Sequence, residues 1–199
     1  MLTLIEAFEI TGLSRPMQDQ LLQLYGDPDR HYHGLRHLSD MLRWVSRDQP
    51  DLPTLLDAIL FHDSVYHLTP VSPGFNEAMS LAVYLMSHQD GDSRRTCEVI
   101  QAITASAYHT VDQANLGATA QLFLDLDLQS FGQPLDRYLD DDRRVGLELE
   151  PVAGHRFTEL RRRFLERLLA RQQIYYIRTD WEETARTNIQ YTLDHLDHS

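Results

Sequence analysis

The 199-residue sequence predicts an all-α fold, a compact single-domain helical bundle, and three observations carry that expectation. Apolar residues recur at helical spacing through nearly every segment, with no convincing strand alternation or Asn-Gly hairpin between them. Glycines and prolines punctuate the periodic runs. The chain is long enough to bury a real core, and it contains neither an internal repeat nor a linker that would divide it.

Each element follows in order. A short helix is expected over 2–10, stopped near Gly12. Ser14 as N-cap and Pro16 in the first turn open a second helix, through Leu21, Leu22 and Leu24 to Tyr25. Residues 26–34, GDPDRHYHG, form a polar turn loaded with charges and histidines. Leu35, Leu38, Met41, Leu42 and Val45 face one side of a third helix, which Pro50 ends. Pro53 opens the helix that carries His62-Asp63, with Leu55, Leu56, Ile59, Leu60 and Phe61 running straight into the pair. Two prolines and a glycine between Leu68 and Gly74 make a surface loop. Residues 75–88 are helical, a turn follows at 91–93, and Asp92 or Ser93 caps a helix through Val99, Ile100 and Ile103 towards His109. The stretch 118–131 holds LFLDLDL, with Gly132 and Pro134 after it. Residues 135–149 are mixed and acidic, interrupted at Gly146. Residues 156–177 predict a long arginine-rich amphipathic helix. Asp180 with Glu183 resembles a capping box opening the last helix, through Ile189 and Leu193. The sum is a bundle of about nine or ten helices in one domain over 1–199, with the site-bearing core at about 25–131 and C-terminal helices at about 134–197.

A net charge of −12 argues against an extended cation-rich groove for nucleic acid. It leaves room for a small phosphate ester, because a metal can supply local positive charge. The single cysteine, Cys97, forms no internal disulfide and is expected as a small apolar core residue. No stretch has the roughly 18 apolar residues of a membrane span, and MLTLIEAFEI lacks the basic start of a signal peptide. A cytoplasmic protein, without membrane contact, is the expectation.

The chemistry is concentrated around LFHDSVYH, residues 60–67. An imidazole and a carboxylate at the end of an apolar helix surface need a counter-charge, and a divalent cation supplies it economically. Other polar clusters would then complete its shell. His33 and His37 in HYHGLRH stand four residues apart, one helical turn. Asn76-Glu77 and His109 form a third cluster. Asp125 and Asp127 lie in an apolar helix about 200° apart at 3.6 residues per turn, so at least one is free to face solvent. Glu77 alone is an ordinary early-helix acid favoured by the dipole. His31, His67, His88, His155, His195 and His198 are assigned to the surface or to local hydrogen bonds.

The order His37, His62-Asp63, Asp127 matches H…HD…D, and the chain resembles the HD superfamily of metal-dependent phosphohydrolases. YHGLRH looks like the YHN-x-x-H phrase of its cyclic-nucleotide phosphodiesterase branch. A nearer likeness is to a small bacterial branch of about 200 residues, marked here by YHGLRHL, FHDSVY, NEAMS, TASAYH and DLDL, with LLARQQIYY and ARTNI later. The resemblance spans nearly the whole chain. It implies His37, His62, Asp63 and Asp127 as metal ligands, and His33 as the proton donor to a leaving alkoxide. Glu77 and His109 match polar positions of the nearer branch, as residues lining the site. Gly34 stands where the phrase has Asn, and the segment 144–148 lacks the expected Arg-x-Glu-Tyr.

Two imidazoles and two carboxylates suit Mn, Fe, Co, Ni or Mg better than a structural zinc cage. The implied activity is hydrolysis of a phosphomonoester or phosphodiester on a nucleotide-like small molecule. His33 or His109 would supply the proton and Glu77 a base, with Asp63 and Asp127 able to support a second, weaker ion. Two other readings remain open: a non-catalytic, metal-stabilised module that senses a nucleotide or binds a partner, and an HD-type di-iron oxygenase. The arginine-rich late helix, 161–171, offers a face for a homo-oligomer.

Overall fold

The computed structural model describes residues 1–67, 74–88, 92–107, 109 and 113–196. Among these residues the chain forms ten α-helices, four short 3-10 turns and no strand. The loop expected at 68–73, the first residue of the 91–93 turn and His198 lie outside the described residues.

The helices are α1 (Leu4–Thr11), α2 (Arg15–Tyr25), α3 (Leu35–Leu42), α4 (Leu52–Phe61) and α5 (Phe75–Ser87), then α6 (Ser93–Ser106), α7 (Ala118–Asp127), α8 (Leu135–Ala153), α9 (Phe157–Leu169) and α10 (Glu182–His195). Helix α4 is the axis. Every residue from Thr54 to Phe61 is buried, which demands neighbours on all sides. Helices α1, α3, α5, α6 and α7 supply them, while α10 packs on α9 and on the 3-10 turn Gln129–Gly132. Among the described residues no helix is long and apolar enough to cross a membrane.

Local sequence accounts for several of the boundaries. Thr3 and Glu6 form a capping box on α1, and Gly12 closes that helix at φ 71°. Asp92 caps α6 by accepting the Arg94 N–H at 2.9 Å. At Gly132 an added Cβ would lie 2.6 Å from Trp181 Cβ, so only glycine lets the turn after α7 approach the start of α10.

Several expectations are corrected. Helix α4 stops at Phe61, so His62 and Asp63 follow its end instead of riding on it. Helix α8 runs unbroken from Leu135 to Ala153, through Gly146 and Pro151. Cys97 is exposed, because α6 turns Val99, Ala102, Ile103 and Ser106 inward. Asp180 spends its carboxylate on Arg178 at 2.8 Å, and Trp181 occupies the cap position of α10.

The helix expected up to residue 177 ends at Leu169. The segment 170–178 instead runs across the bundle with its backbone satisfied by side chains. Asp125 accepts the N–H groups of Tyr176, Ile177 and Arg178 at 2.7–3.1 Å. Glu182 accepts those of Ile174 and Tyr175. Arg186 donates to the carbonyls of Leu169, Arg171 and Gln172. Non-helical backbone needs this accounting, and three side chains provide most of it. Asp125 is fully buried, so neither aspartate of LFLDLDL is a solvent-facing residue.

Candidate metal centre

Three helix ends deliver the site. The turn before α3 carries His33 and its first turn carries His37. The end of α4 delivers His62 and Asp63, and the last turn of α7 delivers Asp127. His37, His62 and Asp63 could hold a metal ion: one donor atom from each lies within 4.8 Å of the others. Asp127 joins them, with Oδ1 3.1 Å from His37 Nε2 and 3.4 Å from His62 Nε2. His62 Nε2 also stands 3.2 Å from Asp63 Oδ2 and 3.3 Å from His37 Nε2.

The ring of His62 decides what this cluster is suited to. Its Nδ1 donates to the Ile59 carbonyl at 2.9 Å, which puts the neutral ring's lone pair on Nε2. That lone pair points at two carboxylates and a second imidazole, all nearly closed to water. His37 Nδ1 is buried with no hydrogen-bond partner among the described residues, so the bonded nitrogen of that ring is also the one aimed inward. Only positive charge reconciles such a group, either protons or a cation. The proton solution is visible in the electrostatics. Burial pushes the His62 pKa down, but the charges of Asp63 and Asp127 reverse this and hold it well above 6.5. Both carboxyls are correspondingly lowered against their own burial, chiefly by the His62 charge. A divalent ion would replace those protons, and the donor set of two imidazoles and two carboxylates fits one.

His109 approaches from the far side, with Nε2 3.0 Å from Asp127 Oδ2. It adopts φ 41°, a left-handed conformation unusual for a non-glycine residue. Glu77 is half-buried in the first turn of α5, close enough to interact electrostatically with Asp63, His109 and Asp127. Burial first, and then the Asp63 and Asp127 charges, raise its pKa.

His33 does not share a helix face with His37, because α3 begins at Leu35. Its ring nevertheless lies 5.9 Å from that of His37 and stacks on Tyr66 at 4.3 Å. Its orientation comes from Glu148, a residue that motif reasoning missed. Glu148 Oε1 is 3.2 Å from His33 Nδ1, and Oε2 accepts the N–H groups of Tyr32 and His33. Burial pushes the His33 pKa down, and the hydrogen bond and charge of Glu148 raise it above 6.5. The turn is therefore anchored despite Gly34. Glu148 lies inside the segment that departs from Arg-x-Glu-Tyr, and a lone acid in acidic surroundings gave no signal of its own.

Supporting residues fix the backbone. Arg30 donates to the carbonyls of His33, Asp63 and Ser64, and the Asp63 N–H donates to the Tyr25 hydroxyl. The NEAMS phrase acquires a structural meaning: Asn76 accepts the His67 N–H and Ser80 that of Val65, both at 3.0 Å, tying the stretch after His62-Asp63 to α5. His88, assigned to local contacts, also reaches the buried Asp57 at 3.4 Å, beside the Asp57 pair with the partly buried Arg95.

Comparison with family models, with curated proteins and with solved structures found no match.

Proposed function

We propose that this chain is a metal-dependent phosphohydrolase of the HD type, cleaving a phosphomonoester or phosphodiester of a nucleotide-like small molecule. The observation that carries the reading is the convergence of His62 Nε2, His37 Nε2, Asp63 and Asp127, with the His62 tautomer set by the Ile59 carbonyl. These residues also stand in the chain order H…HD…D, on helix ends of an all-α core. A cytoplasmic setting belongs to the same proposal and rests on the sequence.

A bound Mn, Fe, Co, Ni or Mg ion would supply Lewis-acid polarisation of a phosphoryl oxygen and a more acidic water. The remaining work falls to side chains. Glu148 holds His33 at Nδ1, so Nε2 is the atom that gives its proton to a departing alkoxide. The hydrogen bond and charge of Glu148 raise the His33 pKa and so favour the protonated ring. Glu77, also raised and within electrostatic reach of Asp63, His109 and Asp127, would accept a proton from water. Tyr66, stacked on His33, keeps the imidazole in plane.

The test is a phosphate-ester panel with metal analysis on wild type, Asp63→Ala and Asp127→Ala. Turnover of at least one ester by wild type, lost with the metal in both variants, supports the reading. Full metal occupancy in both variants removes the proposed ligand set. A second reading, oxygen chemistry at paired irons, draws on His109 beside Asp127 Oδ2. Iron-dependent uptake of O₂ would favour it.

A further inference from the structure

We infer that Arg171 is a positioning residue for the metal centre: its guanidinium grips the His109 main chain and so keeps the His109 imidazole on Asp127. The inference rests on the metal-binding reading of that cluster.

His109 is a non-glycine residue at φ 41°, a conformation that a side chain adopts only when its surroundings impose it. Two contacts impose it from opposite ends of the residue. The imidazole Nε2 meets Asp127 Oδ2 at 3.0 Å, and the carbonyl accepts from Arg171 Nη1 at 2.8 Å. Losing the second contact frees the backbone to relax, and the ring goes with it.

Arg171 suits this role because its own base cannot move. Its N–H donates to the Leu168 carbonyl at 3.2 Å. Its carbonyl accepts from Arg186 at 2.8 Å, and Arg186 is in turn paired with Glu182. A few residues on, Asp125 holds three successive N–H groups of the same 170–178 segment. Asp125 is two residues before Asp127 on α7. The segment is thus fastened to the helix that carries Asp127, and from that fixed frame Arg171 reaches back to the residue Asp127 must meet. The other terminal nitrogen of Arg171 is buried with no hydrogen-bond partner among the described residues, so the guanidinium engages the His109 carbonyl by one nitrogen while the charges of Asp125 and Glu182 also act on it. A planar fork on a locked base holds a carbonyl at a fixed point, as a mobile lysine on the surface would not.

The test combines cobalt binding with crystallography on the full chain. Wild type, Arg171→Met, Arg171→Lys, His109→Ala and the double variant Arg171→Met/His109→Ala are titrated with Co²⁺, following the visible absorption band. Arg171→Met should weaken Co²⁺ binding by about tenfold, as loss of a supporting contact does, and should change the band as His109→Ala does. The double variant should bind no more weakly than His109→Ala alone, and Arg171→Lys, whose single mobile ammonium holds the carbonyl less firmly, should change the band in the same direction as Arg171→Met but by less. An unchanged band and affinity in Arg171→Met, with only a lower melting temperature, would overturn the inference, as would additive effects in the double variant. A crystal structure of metal-free Arg171→Met supplies the arm that needs no metal. His109 Nε2 is expected to leave Asp127, and a ring still 3.0 Å away at positive φ would also overturn it. Wild type failing to take up Co²⁺ while His109 moves in that structure would sink the metal reading and leave the positioning role standing. Should Arg171→Met fail to fold, Arg171→Lys carries the same comparison in weaker form.

Discussion

Glu148 and His33 are 115 residues apart in sequence and 3.2 Å apart in space, joined Oε1 to Nδ1, with the Glu148 side chain closed to water and that of His33 largely so. A carboxylate behind an imidazole fixes which nitrogen is free and keeps the ring charged to higher pH. The same carboxylate holds the turn through two N–H groups, so orientation and protonation have one origin.

Replacing Glu148 by Gln should therefore change both rate and pH dependence. We expect kcat on a responsive ester to fall by about 10²-fold, with the alkaline limb moved to lower pH, because His33 loses the partner that raises its pKa. Stability follows the same pair. Glu148 is lowered, so its contribution is present above its unfolded value and lost as pH falls through its folded one. His33 is raised, so its contribution is present below its unfolded value and lost as pH rises through its folded one. The wild-type advantage over Glu148→Gln, about 2 kcal/mol, should be fullest between the ordinary values 4.5 and 6.5 and shrink on both sides. Urea denaturation across pH checks it.

The two aspartates of LFLDLDL should separate cleanly. Asp125→Asn loses acceptor capacity toward Tyr176, Ile177 and Arg178, and should cost about 2–3 kcal/mol while metal affinity falls no further than in Arg171→Met. Asp127→Asn should lose metal with a smaller change in folding. Metal analysis beside chemical denaturation measures both.

Gly132→Ala tests the junction after α7. The new methyl would sit 2.6 Å from Trp181 Cβ, and the clash should cost about 1–3 kcal/mol. Thermal unfolding gives the value, and a neutral result would mean the α10 start is free to shift.

Arg30→Lys should leave metal uptake intact and lower kcat. One ammonium cannot reproduce the fork that joins the carbonyls of His33, Asp63 and Ser64, so the proton donor and the cluster lose their fixed separation. A loss on the order of tenfold is expected from small misplacement, read by steady-state kinetics at saturating metal.

Much of this was legible before the fold was known. The apolar run into His62-Asp63 marked a buried ionisable pair, and the helical periods placed nearly every element. The parts that were not legible depend on distant partners. RQQIYYI has no glycine or proline to stop a helix, and distant partners, chiefly Asp125, Glu182 and Arg186, hold it in another conformation. Helical geometry correctly separated Asp125 from Asp127, but burial on both sides of α7 gave each an inward task. Glu148 was one acid among many until α8 proved continuous and carried it back to His33.

The central claim is that His37, His62, Asp63 and Asp127 gather around one divalent ion, and calorimetric titration with Mn²⁺ addresses it most directly. Wild type should bind with release of protons from the cluster, and His62→Gln and Asp63→Ala should each abolish the heat of binding while remaining folded by circular dichroism. Equal Mn²⁺ affinity in wild type and both variants, or none in wild type, would contradict the account.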